Sequence, residues 1–265
     1  MSQSSAIIPN ETKRRLAAGE LALGMGLRLA RTVDIASIAH TTGFDWLFID
    51  MEHSPFGMES ATQIASAALG FGVTPIVRVP GHQHFHSSRV LDAGAQGVVV
   101  PHVDTVAQAK EIVSFCKYPP VGHRSVAGAL PQLRFRNVPI AELTRTVNEE
   151  TLVIVMLETP AAIANADRIA AVKGVDVLLI GTNDLCAEMG IHGQFSHPKV
   201  KAAYRRVIAA CRKHRKFPGM GGVYHPALME GYVQMGMQFI LAGSDLSYLM
   251  AGAKARTDFL RGVKR

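Results

Sequence analysis

Short, almost uninterrupted apolar runs recur along this chain, with helix-like segments between them at a spacing of roughly 25 to 30 residues until one longer interval. They predict eight strands, over Leu21–Leu29, Trp46–Asp50, Pro75–Val79, Gly97–Val103, Leu152–Glu158, Val177–Gly181, Gly221–Tyr224 and Phe239–Ala242. The runs do not alternate with polar residues, as expected for strands buried on both faces of a parallel sheet. Ile64 to Leu69, Val106 to Phe115 and Pro160 to Val172 carry apolar residues at helical spacing and supply intervening helices. Eight β-runs in series favour closure into a (β/α)8 TIM barrel of the α/β class over an open doubly wound sheet. The longer interval, Lys117 to Glu150, exceeds a simple βα connection, and an insertion over the barrel mouth is the expectation for it.

The length of 265 residues agrees with this picture, since an eight-fold barrel takes roughly 250 residues. No composition break or linker divides the chain, so residues 1–265 are expected to form one domain. The 48% hydrophobic content suffices for a large core, yet no stretch reaches the roughly 20 apolar residues of a membrane span. The opening MSQSSAIIPNETKRR lacks a basic segment followed by an apolar one, so no leader peptide is expected. Cys116, Cys186 and Cys211 show no metal or redox spacing, and a reduced, cytoplasmic protein is expected.

Of the net charge of +7, much lies between Lys199 and Lys216, where small apolar residues recur at helical spacing. That is an amphipathic helix with a solvated basic face. No aromatic platform or reading motif accompanies it, so nucleic acid is not the expected partner. A mildly positive surface also gathers small carboxylate substrates.

The chemistry collects at strand ends. Glu158 closes VIVMLE, Asp184 follows VLLIGTND, Asp50, Glu52 and His53 end WLFIDMEH, and TPIVRVP delivers Arg78. In a parallel barrel these groups all leave the same, catalytic end. Glu158 and Asp184 could each cap the helix that follows, but on adjacent strands they are candidate metal ligands. Hard oxygen donors without cysteine suit Mg2+ or Mn2+. His53 is the candidate general base or acid, with Asp50 expected to hydrogen-bond its ring and fix the tautomer. The other reading of His53 is a surface pair with Glu52. Arg78, inside an apolar run, must face the mouth or an ion-pair partner, because an unpaired buried charge is costly. Its planar fork suits a carboxylate or enolate oxygen, and a structural pair with Asp50 or Glu52 is compatible with that role.

Weaker candidates are Arg28 at the end of the first strand, Arg124 in a GHRS loop as a contact for an anionic substrate, and His102 and Asp245 at the ends of strands four and eight. The string His82, His84, His86 precedes a helix and lacks metal-ligand spacing. No lysine ends a predicted strand, which favours metal chemistry over an imine-forming aldolase.

The segments FDWLFIDMEHSPF, PIVRVP, LDAGAQGVVVPHVDT, MLETPAAIANADRIAAVKGVDVLLIGTNDL and AGSD together resemble the HpcH/HpaI family of class II pyruvate aldolases, over about Leu21 to Leu249. The resemblance implies a phosphoenolpyruvate/pyruvate-type barrel, a divalent metal (Mg2+ or Mn2+, with Co2+ or Zn2+ also compatible) on Glu158 and Asp184, catalytic His53 oriented by Asp50, and Arg78 as enolate stabiliser. It also implies that the backbone amides of Gly181, Thr182 and Asn183 hold the pyruvate carboxylate. The family commonly forms a hexamer, a trimer of dimers that exchange the last helix. Two positions depart from its pattern: Met156 stands where some members carry Gln, and the loop Gly122 to Ala127 lacks the usual second and third glycines. The reaction implied is reversible cleavage of a 4-hydroxy-2-oxo acid into pyruvate (or hydroxypyruvate) and an aldehyde. Alternatives are a 2-oxo acid decarboxylase, an acyl-CoA lyase, or a non-catalytic anion- or nucleic-acid-binding barrel.

Overall fold

The computed structural model describes residues 7–264. The segment in which no leader was expected therefore lies partly outside the described residues, as does Arg265. Eight parallel strands close in sequence order into a barrel: β1 (Ala22–Leu27), β2 (Trp46–Asp50), β3 (Thr74–Arg78), β4 (Gly97–Val100), β5 (Leu152–Leu157), β6 (Val177–Gly181), β7 (Phe217–Gly221) and β8 (Phe239–Ser244). The helices are α1 (Glu11–Ala17), α2 (Asp34–Thr41), α3 (Met58–Gly70), α4 (His84–Asp92), α5 (Val106–Cys116), α6 (Ile140–Glu150), α7 (Pro160–Ala170), α8 (Thr182–Glu188), α9 (Pro198–His214), α10 (Pro226–Met235) and α11 (Asp245–Gly262). No helix among the described residues is long and apolar enough to cross a membrane.

Two apolar layers account for the unbroken runs. Successive side chains in a strand point to opposite faces. Leu47 and Ile49 of β2, Val77 of β3 and Val153 and Val155 of β5 pack outward with the helices. Trp46, Phe48, Ile76, Leu152, Ile154, Met156, Val177, Leu179 and Phe239 point inward and fill the barrel. Trp46 stacks on Phe239 at 3.9 Å between ring centroids and donates its indole N–H to the Ala22 carbonyl. Gly24 makes room for this ring, because a Cβ there would lie 2.2 Å from it. The same two-residue period carried upward brings Asp50, Arg78, Glu158 and Gly181 to the inside of the barrel at its C-terminal end.

Strand seven departs from expectation: it runs over Phe217–Gly221, not Gly221–Tyr224. FPGMG reads as a turn because of its proline and glycines. Inside a barrel Gly219 is needed for packing, since a Cβ there would meet Leu179, Phe239 and Val177 at 3.1–3.2 Å.

The interval 117–150 also departs from expectation, lying at the N-terminal end of the barrel and not over the mouth. α5 runs back from the catalytic end, so the chain leaving Cys116 is already at the opposite rim. There Gln132 donates to the carbonyls of Leu91 and Ala95, Lys117 Nζ donates to those of Asn148 and Thr151, and the Ile8 amide donates to Gln132. Tyr118, Leu130, Leu133, Leu143 and Val147 form a separate apolar cluster there. α9 is the expected basic amphipathic helix, with Val200, Ala203, Tyr204, Val207, Ile208 and Cys211 on its buried face. α11 buries none of its residues.

Candidate active site

A cavity of about 300 Å³ opens at the C-terminal end of the barrel. Asp50, His53, Arg78, Met156, Gly181, Thr182, Asn183 and Asp184 all line it. No lysine does, in keeping with the reading against imine chemistry.

Arg78 is the most constrained of these groups. Asp50 and Arg78 are register partners on β2 and β3. Arg78 Nε donates to Asp50 Oδ1 at 2.9 Å and Nη2 to Oδ2 at 2.7 Å, while Nη1 lies 2.8 Å from Glu52 Oε2. The guanidinium sits 5.0 Å from the Phe48 ring centroid, and Nη1 reaches Met156 Sδ at 4.0 Å. Burial works to raise the Asp50 carboxyl, but the hydrogen bonds and charge of Arg78, with the amides of His53 and Glu52, hold it below its usual value. Nε and one N–H of Nη2 are committed to Asp50 and Nη1 faces Glu52 and Met156, which leaves one N–H on Nη2. The structural pairing and a substrate role coexist.

Asp50 does not reach the imidazole as expected. Its Oδ1 accepts from the backbone amides of Glu52 and His53, each at 3.1 Å, because the bidentate pair with Arg78 fixes the carboxylate plane. Asp50 therefore positions the loop that carries His53, and the ring itself lies 3.9 Å from Glu52 Oε2. The His53 side chain is half exposed at the cavity rim.

On the facing wall, neither candidate metal ligand serves as a cap. Thr159 caps α7 through its side chain, and α8 starts at Gly181 with no side-chain cap. Glu158 is 1% exposed, and its Oε2 accepts the His102 amide at 2.8 Å. His102 takes a left-handed φ of 52° to present that amide, a conformation that costs a non-glycine residue energy. Its ring Nδ1 lies 3.5 Å from the same carboxylate oxygen. Burial drives the Glu158 pKa up to about 7; the His102 amide and charge oppose this, while the charges of Asp184 and Glu52 add to it.

This environment fits a bound cation. A buried carboxylate faces two other acids, no lysine or arginine pairs with it among the described residues, and all its donors are hard oxygens. Gly181 is part of the fit: a Cβ there would fall 2.6 Å from Cγ and Oε1 of Glu158. No cluster of three or more His, Cys, Asp or Glu residues suited to a metal occurs among the described residues. The histidine string does not converge either, and His82 Nε2 pairs with the Pro101 carbonyl at 2.7 Å.

Thr182 is buried, donating to the Gly221 carbonyl at 2.7 Å and meeting the Tyr204 hydroxyl at 2.8 Å, which anchors the start of α8. Asp245 holds the β1–α2 loop by accepting the amides of Arg28, Leu29 and Ala30. Tyr224 lines the cavity, a residue the sequence did not single out because it was assigned to a strand end.

Arg124 lies outside the site, at the opposite end of the barrel. Its fully buried side chain bonds Asp92 Oδ1 at 2.5 Å and lies 4.6 Å from the Tyr118 ring centroid. The loop that bears it follows α5, and α5 has already carried the chain away from the mouth. Arg124→Ala is expected to cost about 2–3 kcal/mol of stability through the lost charge-assisted bond and packing. Thermal unfolding checks the loss, and KM for the donor substrate is expected to stay at the wild-type value.

The family described as HpcH/HpaI aldolase/citrate lyase matches residues 28–251. A 4-hydroxy-4-methyl-2-oxoglutarate aldolase of Hapsidospora irregularis is 39% identical over 248 residues, 92% of each chain. A hydroxypyruvate/pyruvate aldolase of Sagittula stellata is 35% identical, covering 93% of this chain and 96% of its own. Among solved structures, the HpcH/HpaI aldolase from Desulfitobacterium hafniense DCB-2 superposes with a TM-score of 0.90 at 31% identity, covering 95% of this chain and 97% of that one. The chain belongs to the HpcH/HpaI aldolase/citrate lyase family.

Proposed function

We propose that the protein is a divalent-metal-dependent aldolase that reversibly cleaves 4-hydroxy-2-oxo acids to pyruvate, or hydroxypyruvate, and an aldehyde or ketone. The observation that carries this reading is the buried Glu158 carboxylate. Burial above all, then the charges of Asp184 and Glu52, push it up to about 7, and its acidic neighbour Asp184 lines one cavity with the Arg78 guanidinium. The names of the relatives, which are aldolases of 2-oxo acids, support the same class.

Glu158 and Asp184 would hold the metal, Mg2+ or Mn2+ by the chemistry of their donors. When bound, it supplies Lewis-acid stabilisation of charge on the 2-oxo acid. The amides of Gly181, Thr182 and Asn183 face the substrate carboxylate at the start of α8. His53 takes the proton from the C4 hydroxyl. The C3–C4 bond then breaks, its electron pair moves to C3, and charge builds on the ketone oxygen. The remaining N–H of Arg78 and its charge stabilise that charge without reorganisation, because Asp50 and Glu52 already fix the fork. Return of that proton from the His53 imidazolium to C3 completes pyruvate and restores the base. The test is a screen of pyruvate and hydroxypyruvate against a panel of aldehydes and oxo acids, with Mg2+ or Mn2+ and with a chelator. Metal-dependent carbon–carbon bond formation is expected, and oxaloacetate decarboxylation as the sole activity would contradict the reading.

A homo-oligomer that exchanges α11 accompanies this proposal. Leu249, Met250, Phe259 and Leu260 on that helix are 59–63% exposed. Met25, Leu29, Ile35, Ile38 and Phe44 line an apolar groove beside its first turn. Large apolar surfaces of this kind are usually covered by a partner. Removing residues 250–265 is expected to turn the oligomer into monomers in sedimentation, and a full-length monomer would contradict the exchange. Three buried, unpaired cysteines fit a reducing cytoplasm.

A further inference from the structure

The cavity has a second cationic wall that the reaction as described does not use. Arg28 directly follows β1, and Tyr224 follows β7; both line the cavity with Ser244 at the end of β8. In a closed ring of eight strands β1 stands opposite β5, so Arg28 faces the wall from which Glu158 rises. Among the described residues no carboxylate pairs with the Arg28 guanidinium, whose Nη2 donates to the His53 carbonyl oxygen at 3.2 Å. The backbone beneath it is fixed, because Asp245 spends both carboxylate oxygens on the amides of residues 28 to 30. Asp245 thus anchors Arg28 without neutralising it. Tyr224 completes the wall. Burial holds its hydroxyl above the usual tyrosine range, and the charges of Arg78 and Arg28 both act on it in the opposite sense. Gly221 and Gly222 precede it and line the cavity with backbone alone.

The donor half of the substrate already has its partners on β3, β5 and β6. The half released as the carbonyl compound lies toward His53, which removes its hydroxyl proton, and hence beside Arg28. We propose that Arg28 and the Tyr224 hydroxyl form a carboxylate-binding subsite for that second half, so that the preferred acceptor is a short oxo acid and the substrate cleaved is a 4-hydroxy-2-oxo diacid. This rests on the aldolase reading above and adds to it the charge of the acceptor. An uncompensated, pre-positioned guanidinium beside a hydroxyl donor is the recognition chemistry of a carboxylate. A neutral aldehyde would leave that charge without a partner.

The experiment compares kcat/KM for two oxo acid acceptors, glyoxylate and pyruvate, with that for two neutral aldehydes, acetaldehyde and glycolaldehyde, using the full chain with Mn2+. The wild type is expected to favour the oxo acids. In Arg28→Gln the oxo acid to aldehyde ratio is expected to fall on the order of 10–100-fold, the worth of a charge-assisted hydrogen-bonded pair. Arg28→Lys recovers part of the ratio, and Tyr224→Phe lowers it by a smaller factor. A wild type that favours neutral aldehydes, or an Arg28→Gln ratio equal to that of the wild type, overturns the subsite while the aldolase reading stands. A wild type that forms no carbon–carbon bond with either class of acceptor, yet binds Mn2+, overturns the aldolase reading and the subsite with it.

Discussion

Arg78→Lys is expected to lower kcat on the order of 10²–10³-fold with a much smaller change in donor KM. The substitution keeps the charge and removes the fork. Arg78 binds Asp50 through two nitrogens, approaches Glu52 with a third, and still offers one N–H to the cavity. A lysine has three donors on one nitrogen, so it can satisfy the two acids or the substrate oxygen but not all three in fixed geometry. The interaction lost is the one that strengthens as charge builds on the ketone oxygen, so the loss falls on turnover more than on binding. Its size follows from removing one pre-positioned donor to a developing oxyanion. A stability loss of about 1–3 kcal/mol is expected as well, since Asp50 keeps its burial while losing two directed hydrogen bonds and Glu52 loses its ion pair. Steady-state kinetics and thermal unfolding check both. A variant with near wild-type kcat would show that Arg78 serves the fold alone.

Gly181→Ala is expected to weaken Mn2+ binding by about 10- to 100-fold and turnover by at least as much. The argument is steric. The added methyl would sit 2.6 Å from Glu158 Cγ and Oε1 and 2.9 Å from Met156 Cε. The backbone cannot yield easily, because Gly181 is in register with Gly221 on β7 and the next residue is tied to the Gly221 carbonyl through its hydroxyl. The flexible partner is the Glu158 side chain, so the carboxylate leaves its place and loses the His102 amide. The barrel remains closed, so metal binding is expected to weaken while the circular dichroism spectrum is kept. Calorimetric titration with Mn2+ reads this directly. Wild-type affinity in Gly181→Ala would mean that Glu158 is not a ligand.

The parts legible in the sequence are those in which a short-range rule and the closed barrel agree. Strands β2, β3, β5 and β6 are buried on both faces, so their apolar runs are unbroken, and the polar residues that end them stand at the catalytic rim. That is why Asp50, Arg78, Glu158 and Asp184 are legible as one group in the sequence. Strand β7 was missed at its start because Pro218 and Gly219 carry turn chemistry locally, and only the crowded barrel interior explains the glycine. Arg124 was misplaced because a loop arginine next to glycine looks the same at either end of a barrel; the direction of α5 decides which end it occupies. The expected Asp50–His53 ring contact rested on closeness in sequence, and it lost to a stronger partner brought in from the neighbouring strand. Tyr224 and the uncompensated state of Arg28 depend on contacts between β1, β7 and α11, which no local pattern records.

The most direct test of the central claim is exchange of the pyruvate methyl protons in D2O, followed by proton NMR. It reads formation of the carbanion without any acceptor, first in metal-stripped protein and then as Mg2+ is added. Exchange is expected to begin only with metal in the wild type and to be lost in Glu158→Gln. Equal exchange in the presence of a chelator, or undiminished exchange in Glu158→Gln, would contradict it.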